Sequence, residues 1–305
     1  MSANPVTILS QPAVDDASPD ETDLQLWSVT TILGAAEKPA LLYWAAEQTA
    51  LAAIHSDATW RGMIADDDPD CRHLDAECAA VKWLRDARFR RPKGLRSASQ
   101  LGTDVHDVCE RYVLTGTRPE ADEEVTPFLD RFDEWLQDFS PSYQAAEVAV
   151  YHPDLGYAGT CDGFLTLEGV RYIFDIKSSR KHKDAKGKPT SPYPEQVGLQ
   201  LAAYRHAPYA AVWRPRRMEK FRRRYYLLGP DERALAQPVP QVDTGLVLHI
   251  TPHGCDAYPI RCDEPVFESY LAVQDTARWL WQDARNVMGD PLTPTRNGAQ
   301  TSGDR

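Results

Sequence analysis

Along this chain the spacing of apolar residues shifts from a helical period to a strand period and back, and these shifts mark its elements. From Ser28 the pattern reads helical, with Leu41, Leu42, Trp44 and Ala45 on one apolar face. A second helical stretch runs from Glu77 to Ala87, and the acidic run Asp66–Asp70 separates the two as a loop. Further helices are expected from about Ser99 to Leu114 and from Thr126 to Phe139, where Pro141 ends the pattern. Between Ala145 and Ser178 the period shortens to two, with Val148, Val150, Phe164, Ile173, Phe174 and Ile176 supplying branched and aromatic residues. Helix resumes over Glu195–Tyr209, followed by a basic stretch, strands at Tyr225–Leu228 and Gly245–Ile250, and a closing helix at Val266–Val287. The expected fold is α/β: a mixed central β-sheet flanked by helices, with a helical N-terminal part, in one domain over residues 24–290. Residues 1–23 and 291–305 are polar, lack an apolar period and are expected to be disordered tails.

The strand region allows a register to be counted. Glu168-Gly169 fits a two-residue hairpin turn, which sets Leu167 opposite Val170 and so Asp162 opposite Asp175. A turn centred on Asp154-Leu155 pairs Pro153 with Gly156 and sets Glu147 opposite Asp162. Glu147, Asp162 and Asp175 would then form one row across three strands, and Lys177, two residues beyond Asp175, would share their face. Opposed like charges destabilise a sheet by a few tenths to about 1 kcal/mol per pair, so such a row asks for a cation or a proton. Hard oxygen donors suit magnesium or manganese. The charges alone leave another reading open, a solvated hairpin whose lysine pairs with one acid.

The charge distribution adds a possible partner. The chain carries a net charge of -11, yet residues 171–230 hold fifteen Lys or Arg against four Asp or Glu. Arg180 and Lys181 follow the acid-bearing strand, and Arg214, Arg216, Arg217, Arg222 and Arg223 form a second group interleaved with Trp213, Phe221, Tyr225 and Tyr226. Cations mixed with aromatic rings suit phosphate contacts and base stacking, and a solvated basic loop is the plainer alternative. No long apolar run and no basic-then-apolar leader is present, so neither a membrane partner nor a signal peptide is expected, and the chain is assigned to the cytoplasm. Its six scattered cysteines are expected to be reduced.

Gly159-Thr160-Cys161-Asp162-Gly163, followed twelve residues later by Asp175-Ile176-Lys177, resembles the signature of the PD-(D/E)XK nuclease superfamily. Upstream, Gly102-Thr103-Asp104-Val105-His106 is similar to the helix that carries a metal-binding histidine in RecB-like members. Downstream, Gln200-Leu201-Ala202-Ala203-Tyr204 is similar to their Gln-x-x-x-Tyr motif. The likeness spans roughly Ser28 to Ile260, and its nearest flavour is the group of phage and CRISPR-associated exonucleases. It implies a restriction-endonuclease-like core, Mg²⁺ or Mn²⁺ held by Asp162, Asp175 and His106, and Lys177 positioning or activating water. It also implies substrate positioning by Gln200 and Tyr204, while Glu147 enters as a further ligand on its register alone. Without the motifs, His106 and Glu110 read as a surface pair one turn apart, and Gln200 and Tyr204 as anchors of a helix on a sheet.

An iron-sulfur cluster is not expected, because Cys255 and Cys262 have no third cysteine close by. Cys71, His73 and Cys78 lack the spacing and the fourth ligand of a zinc site. The activity implied is metal-dependent DNA cleavage at free ends, in recombination, repair or phage DNA processing, beside a recombination or helicase partner. No GxxxxGK[ST] loop is present in the chain itself. An endonuclease of the same superfamily and a nonenzymatic DNA-binding module are the alternatives.

Overall fold

The computed structural model describes residues 19–36, 39–64, 78–86, 96–181, 187, 194–211, 215–221 and 223–289. The expectations for Asp66–Asp70, Cys71, His73, Arg214, Arg222 and the C-terminal tail lie outside these residues. The fold is α/β, with a large mixed sheet between two helical layers. Its first strand, β1 (Leu24–Ser28), precedes α1 (Val29–Leu33), α2 (Pro39–His55), α3 (Asp57–Arg61) and α4 (Ala79–Arg85). The long helices α5 (Ala98–Thr115) and α6 (Thr126–Phe139) follow, and then β2 (Ser142–His152), β3 (Tyr157–Leu167) and β4 (Val170–Ser178). Next come α7 (Pro194–Arg205), β5 (Tyr209–Ala210), β6 (Arg216–Lys220), β7 (Arg223–Leu228), α8 (Pro230–Ala234), β8 (Gln237–Pro238), β9 (Thr244–Thr251), β10 (Gly254–Ile260) and α9 (Glu264–Arg278).

Several expectations are corrected. The first element after the N-terminal segment is a strand, because Leu26 and Ser28 alternate into the sheet before α1 begins. Residues 19–23 are not all tail, since the Asp23 side chain is 2% exposed and held by Arg216. Helix α7 stops at Arg205, ahead of Pro208, and Tyr209 joins β5 instead. The closing helix is α-helical only to Arg278 and continues as a π turn over Trp279–Asp283. Among the described residues no helix is long and apolar enough to cross a membrane.

Two apolar clusters sandwich the sheet. On one face Leu101 and Val105 of α5 and Phe128 and Phe132 of α6 pack on Leu165, Phe174, Ile176 and Leu248. On the other face Ile32 of α1, Leu201 of α7 and Tyr270 of α9 pack on Val150, Phe164, Ile173 and Val247. Strand β4 thus sends alternate residues into opposite layers, as a central strand covered on both sides must. Helix α5 opens with Ser97 accepting from the Gln100 N–H and closes on Gly116 in the left-handed region, so both ends are capped by the residue types best suited to it.

The sheet forks beside β3. Its order runs β10-β9-β4-β3-β1-β7-β6, with β2 on the far edge of β3. One edge of β3 pairs in parallel with β1 at Tyr157 and Ala158, and then with β4 from Gly163 onward. Residues Gly159–Asp162 therefore face the gap between the two arms. This gap is where the acids lie.

Candidate active site

The counted register holds for the second hairpin. Leu167 pairs with Val170, and Glu168 and Gly169 take φ of 50° and 84°, as a turn with both central residues left-handed requires. The first hairpin closes one step further out, at His152 and Tyr157, with four residues in its loop, and keeps the same alternation. Its ladder continues to Val148 and Cys161, and to Ala146 and Gly163, which leaves Glu147 level with Asp162.

The single row of acids does not survive. The β3–β4 ladder runs only as far as Gly163 and Phe174, and Gly163 adopts φ of 148°, which breaks the alternation of β3. A Cβ on Gly163 would stand 2.1 Å from the Ala145 carbonyl oxygen, so no other residue fits there. Past this kink Asp162 turns to the α5 side, where it lines a small recess with His106, Glu110, Glu147, Phe174 and Ile176. Glu147, at φ of 52°, reaches the same recess through a second departure from strand geometry. Asp175, between Phe174 and Ile176, points to the α7 side. The acids meet at the fork from opposite faces of the sheet instead of lying along one face.

Each side chain there has a defined partner. Asp175 is 2% exposed; one oxygen accepts from Gln200 Nε2 at 3.0 Å and the other takes a short ion pair with Lys177 Nζ. Gln200 Nε2 also lies 3.3 Å from the Tyr204 hydroxyl, so α7 presents both residues at i and i+4 toward one carboxylate. The Tyr204 ring lies against the backbone of Gly159, where a Cβ would come within 2.3 Å of Cε1. Asp162 Oδ2 accepts from the Ile176 N–H and stands 3.5 Å from His106 Nδ1. Burial pushes the Asp162 carboxyl above its ordinary value; His106, Lys177 and the Ile176 N–H oppose the shift, and the Asp175 charge adds to it. Burial works to lower the Lys177 pKa, but Asp175 and Asp162 outweigh it and raise the value. In this arrangement Lys177 is an ammonium donor.

These donors fit a hard divalent ion. Asp162 and Asp175 come to the fork from opposite faces, and His106 and Glu147 line the recess on the Asp162 side. Among the described residues no group of three or more His, Cys, Asp or Glu side chains is placed to hold a metal ion. An ion bound here would rest on one or two carboxylates with water and phosphate completing its shell, and the set does not fit a structural zinc site.

The two basic groups separate by partner. Arg180 donates to the Arg96 carbonyl and pairs with Glu124, inside a network in which Arg96 also holds Asp104 and Asp122. Arg216 is tied to Asp23 at 2.5 Å. Both arginines have partners within the chain, and each keeps about a third of its side chain exposed. Arg217 reaches Thr160 Oγ1 at 3.3 Å and lies over the Tyr226 ring, linking β6 to the strand that carries Asp162. Arg223 lies over Trp281 at 4.6 Å. Lys181 is exposed. His249, buried on β9 beside Lys177 and 3.0 Å from Ser179 Oγ, was not singled out by any motif; only its place within an apolar strand marks it.

No family model and no curated protein matches this chain. Among solved structures, the one titled "Crystal structure of SSO0001" is similar at 14% identity and a TM-score of 0.26, over 59% of this chain and 75% of that one. A likeness of that size sets neither fold nor activity.

Proposed function

We propose that this chain is a metal-dependent deoxyribonuclease of the PD-(D/E)XK type that hydrolyses phosphodiester bonds at DNA ends. The observation that carries the reading is Asp175, buried in a central strand and held by Lys177 and Gln200, with the charge of Asp162 near enough to act on it. A buried carboxylate in an apolar layer is costly unless it serves as an ion pair, a ligand or both. The order Asp-x₁₂-Asp-x-Lys, with His106 on α5 and Gln200 and Tyr204 on α7, supports the same reading.

In this reading Asp162 and Asp175 hold Mg²⁺ or Mn²⁺, with His106 and Glu147 at the edge of the site. A bound divalent ion polarises the scissile phosphate and makes a water more acidic. Lys177 places its ammonium where phosphate charge grows and orients the attacking water. Gln200 fixes the rotamer of Asp175, and Tyr204 fixes Gln200. The pairing of Lys177 with Asp175 keeps the lysine in position before substrate arrives.

Purified protein incubated with linear and covalently closed DNA, in magnesium, manganese or EDTA, tests this directly beside Asp175→Ala. Metal-dependent loss of linear DNA alone is the expected result, abolished by EDTA and by the substitution. Cutting of closed circles would assign an endonuclease. Binding without hydrolysis in either metal would overturn the enzyme reading.

A further inference from the structure

The β6–β7 hairpin carries a feature that the cleavage site does not use. Lys220 pairs with Arg223, so the turn between them has two residues, and Phe221 occupies its first position at φ of 54°. Glu168 holds the same place in its own turn at φ of 50°; here a bulky aromatic residue takes the left-handed conformation that Gly, Asn and Asp normally fill. Phe221 is also 79% exposed, so neither packing nor turn preference accounts for it. Backbone strain and an exposed ring together point to a ligand.

The surroundings name its chemistry. Lys220 Nζ lies 5.7 Å from the Phe221 ring, and behind the tip an open cleft of about 530 Å³ is lined by Thr30, Thr31, Phe221, Arg223, Arg224 and Trp281. Glu219, 3.9 Å from Arg224, is the acid on its wall. The Arg224 side chain is 70% exposed, and Arg223 stacks over Trp281, which in turn meets Trp27 at 5.3 Å. A ring presented beside three cations, with a second aromatic face at the back, matches unpaired bases on a phosphate chain. A duplex buries its bases and offers no face to such a ring.

The hairpin belongs to the arm of the sheet that β1 joins to β3. Trp27 is level with both Tyr157 on β3 and Tyr225 on β7. β7 begins at Arg223, so Phe221 lies in the turn beyond the ladder, beside Thr30 and Thr31 in the wall of the cleft. Two strand spacings separate β3 from β7, roughly 10 Å across the sheet. Arg217 bridges the interval by its contact with Thr160.

We propose that the Phe221 tip and the Trp281 cleft bind an unpaired DNA strand, with Phe221 stacked on a base and Lys220, Arg223 and Arg224 on its phosphates. The site selects DNA ends that carry a single-stranded tail. This deepens the nuclease reading by naming the form of its substrate, and it rests on that reading only for the cleavage measurement.

Fluorescence anisotropy of the full chain in EDTA, with labelled oligothymidylate and with a blunt duplex, tests the binding step. Phe221→Asn is the informative variant, because Asn accepts the turn conformation and leaves the fold intact; its thermal midpoint is expected to equal or exceed that of the parent. Oligothymidylate affinity should fall about tenfold, the loss of one stacked base, while duplex affinity changes less than twofold. Phe221→Trp should keep the parent affinity. Equal binding of oligothymidylate by parent and Phe221→Asn, or an equal loss for duplex, would overturn the proposal. In magnesium the parent should degrade tailed ends faster than blunt ends and Phe221→Asn should lose that preference. Absence of cleavage in any metal, with the binding difference intact, would remove the nuclease reading and leave this site standing. Cleavage by both proteins without preference for tailed ends would remove this site and leave the nuclease.

Discussion

The fork and the β6–β7 tip use charge in opposite ways. At the fork Asp175 is 2% exposed, Lys177 is 31% exposed, and every oxygen of Asp175 is already engaged. At the tip Arg224 and Phe221 stand in water, and the nearest ion pair, Arg224 to Glu219, spans 3.9 Å. Burial makes the first region rigid and chemically specific, since each charge there depends on a named partner. Exposure makes the second adaptable, because a solvated guanidinium can take a phosphate at little cost in desolvation. Arg216, on the same hairpin as the tip, belongs to the first kind through its pair with buried Asp23.

The contrast can be broken most strongly at Lys177. Lys177→Met should lower cleavage about 10²- to 10³-fold and leave oligothymidylate affinity unchanged, as single-turnover rates and anisotropy would record. A joint loss of both would merge the two regions into one site. The next largest effect belongs to the glycines that build the fork. Gly163→Ala meets a backbone carbonyl at 2.1 Å and a left-handed φ, so urea denaturation should show a loss of at least about 3 kcal/mol. Gly159→Ala meets the movable Tyr204 ring, so its loss should be smaller, about 1–3 kcal/mol, with cleavage reduced as the ring is displaced from Gln200. Tyr204→Phe removes only the hydroxyl and should cost about 1 kcal/mol by the same measurement.

The smallest effect concerns the network that anchors Arg180. The Arg96 guanidinium holds the Asp122 carboxyl down at about 2, and Arg180 lowers that of Glu124. Depressed carboxyls stabilise the fold above their ordinary values and lose that contribution as pH falls through the folded ones. Stability should therefore decline from about pH 4 toward pH 2. Arg96→Gln should flatten that limb in urea midpoints taken across the range, and an unchanged slope would contradict the network's role.

The register was legible because it needs only a turn and a period of two. Glu168-Gly169 set the pairing of β3 and β4, and the spacing of Asp162, Asp175 and Lys177 marked the right strands. The side of the sheet taken by Asp162 was hidden, since it depends on the Gly163 backbone at φ of 148° and on a ladder that stops there. Long amphipathic helices such as α5 and α6 were legible from their apolar stripes. Strands β1, β6 and β10 were not: β1 has five residues, β6 is Arg-Arg-Met-Glu-Lys, and β10 is a mostly half-exposed edge containing Pro259. Tertiary pairing recruits such segments against their own preferences. The same holds for the basic stretch, in which neighbouring arginines read alike and only the folded chain separates Arg216, bound to Asp23, from Arg223 at the cleft.

Strand β1 imposes an order on biosynthesis. It is the first of the described strands, yet its partners are Tyr157 and Ala158 on one side and Tyr225–Leu228 on the other. Until β7 emerges from the ribosome, Leu24 and Leu26 have no finished sheet to join, and the arm that bears the Phe221 tip has no attachment to β3. Such distant pairing slows folding and leaves an apolar N-terminal segment waiting in solution. The acid-bearing hairpin can form early and locally, whereas the gap beside it acquires a finished second wall only when β1 meets β7, about two hundred residues further along the chain.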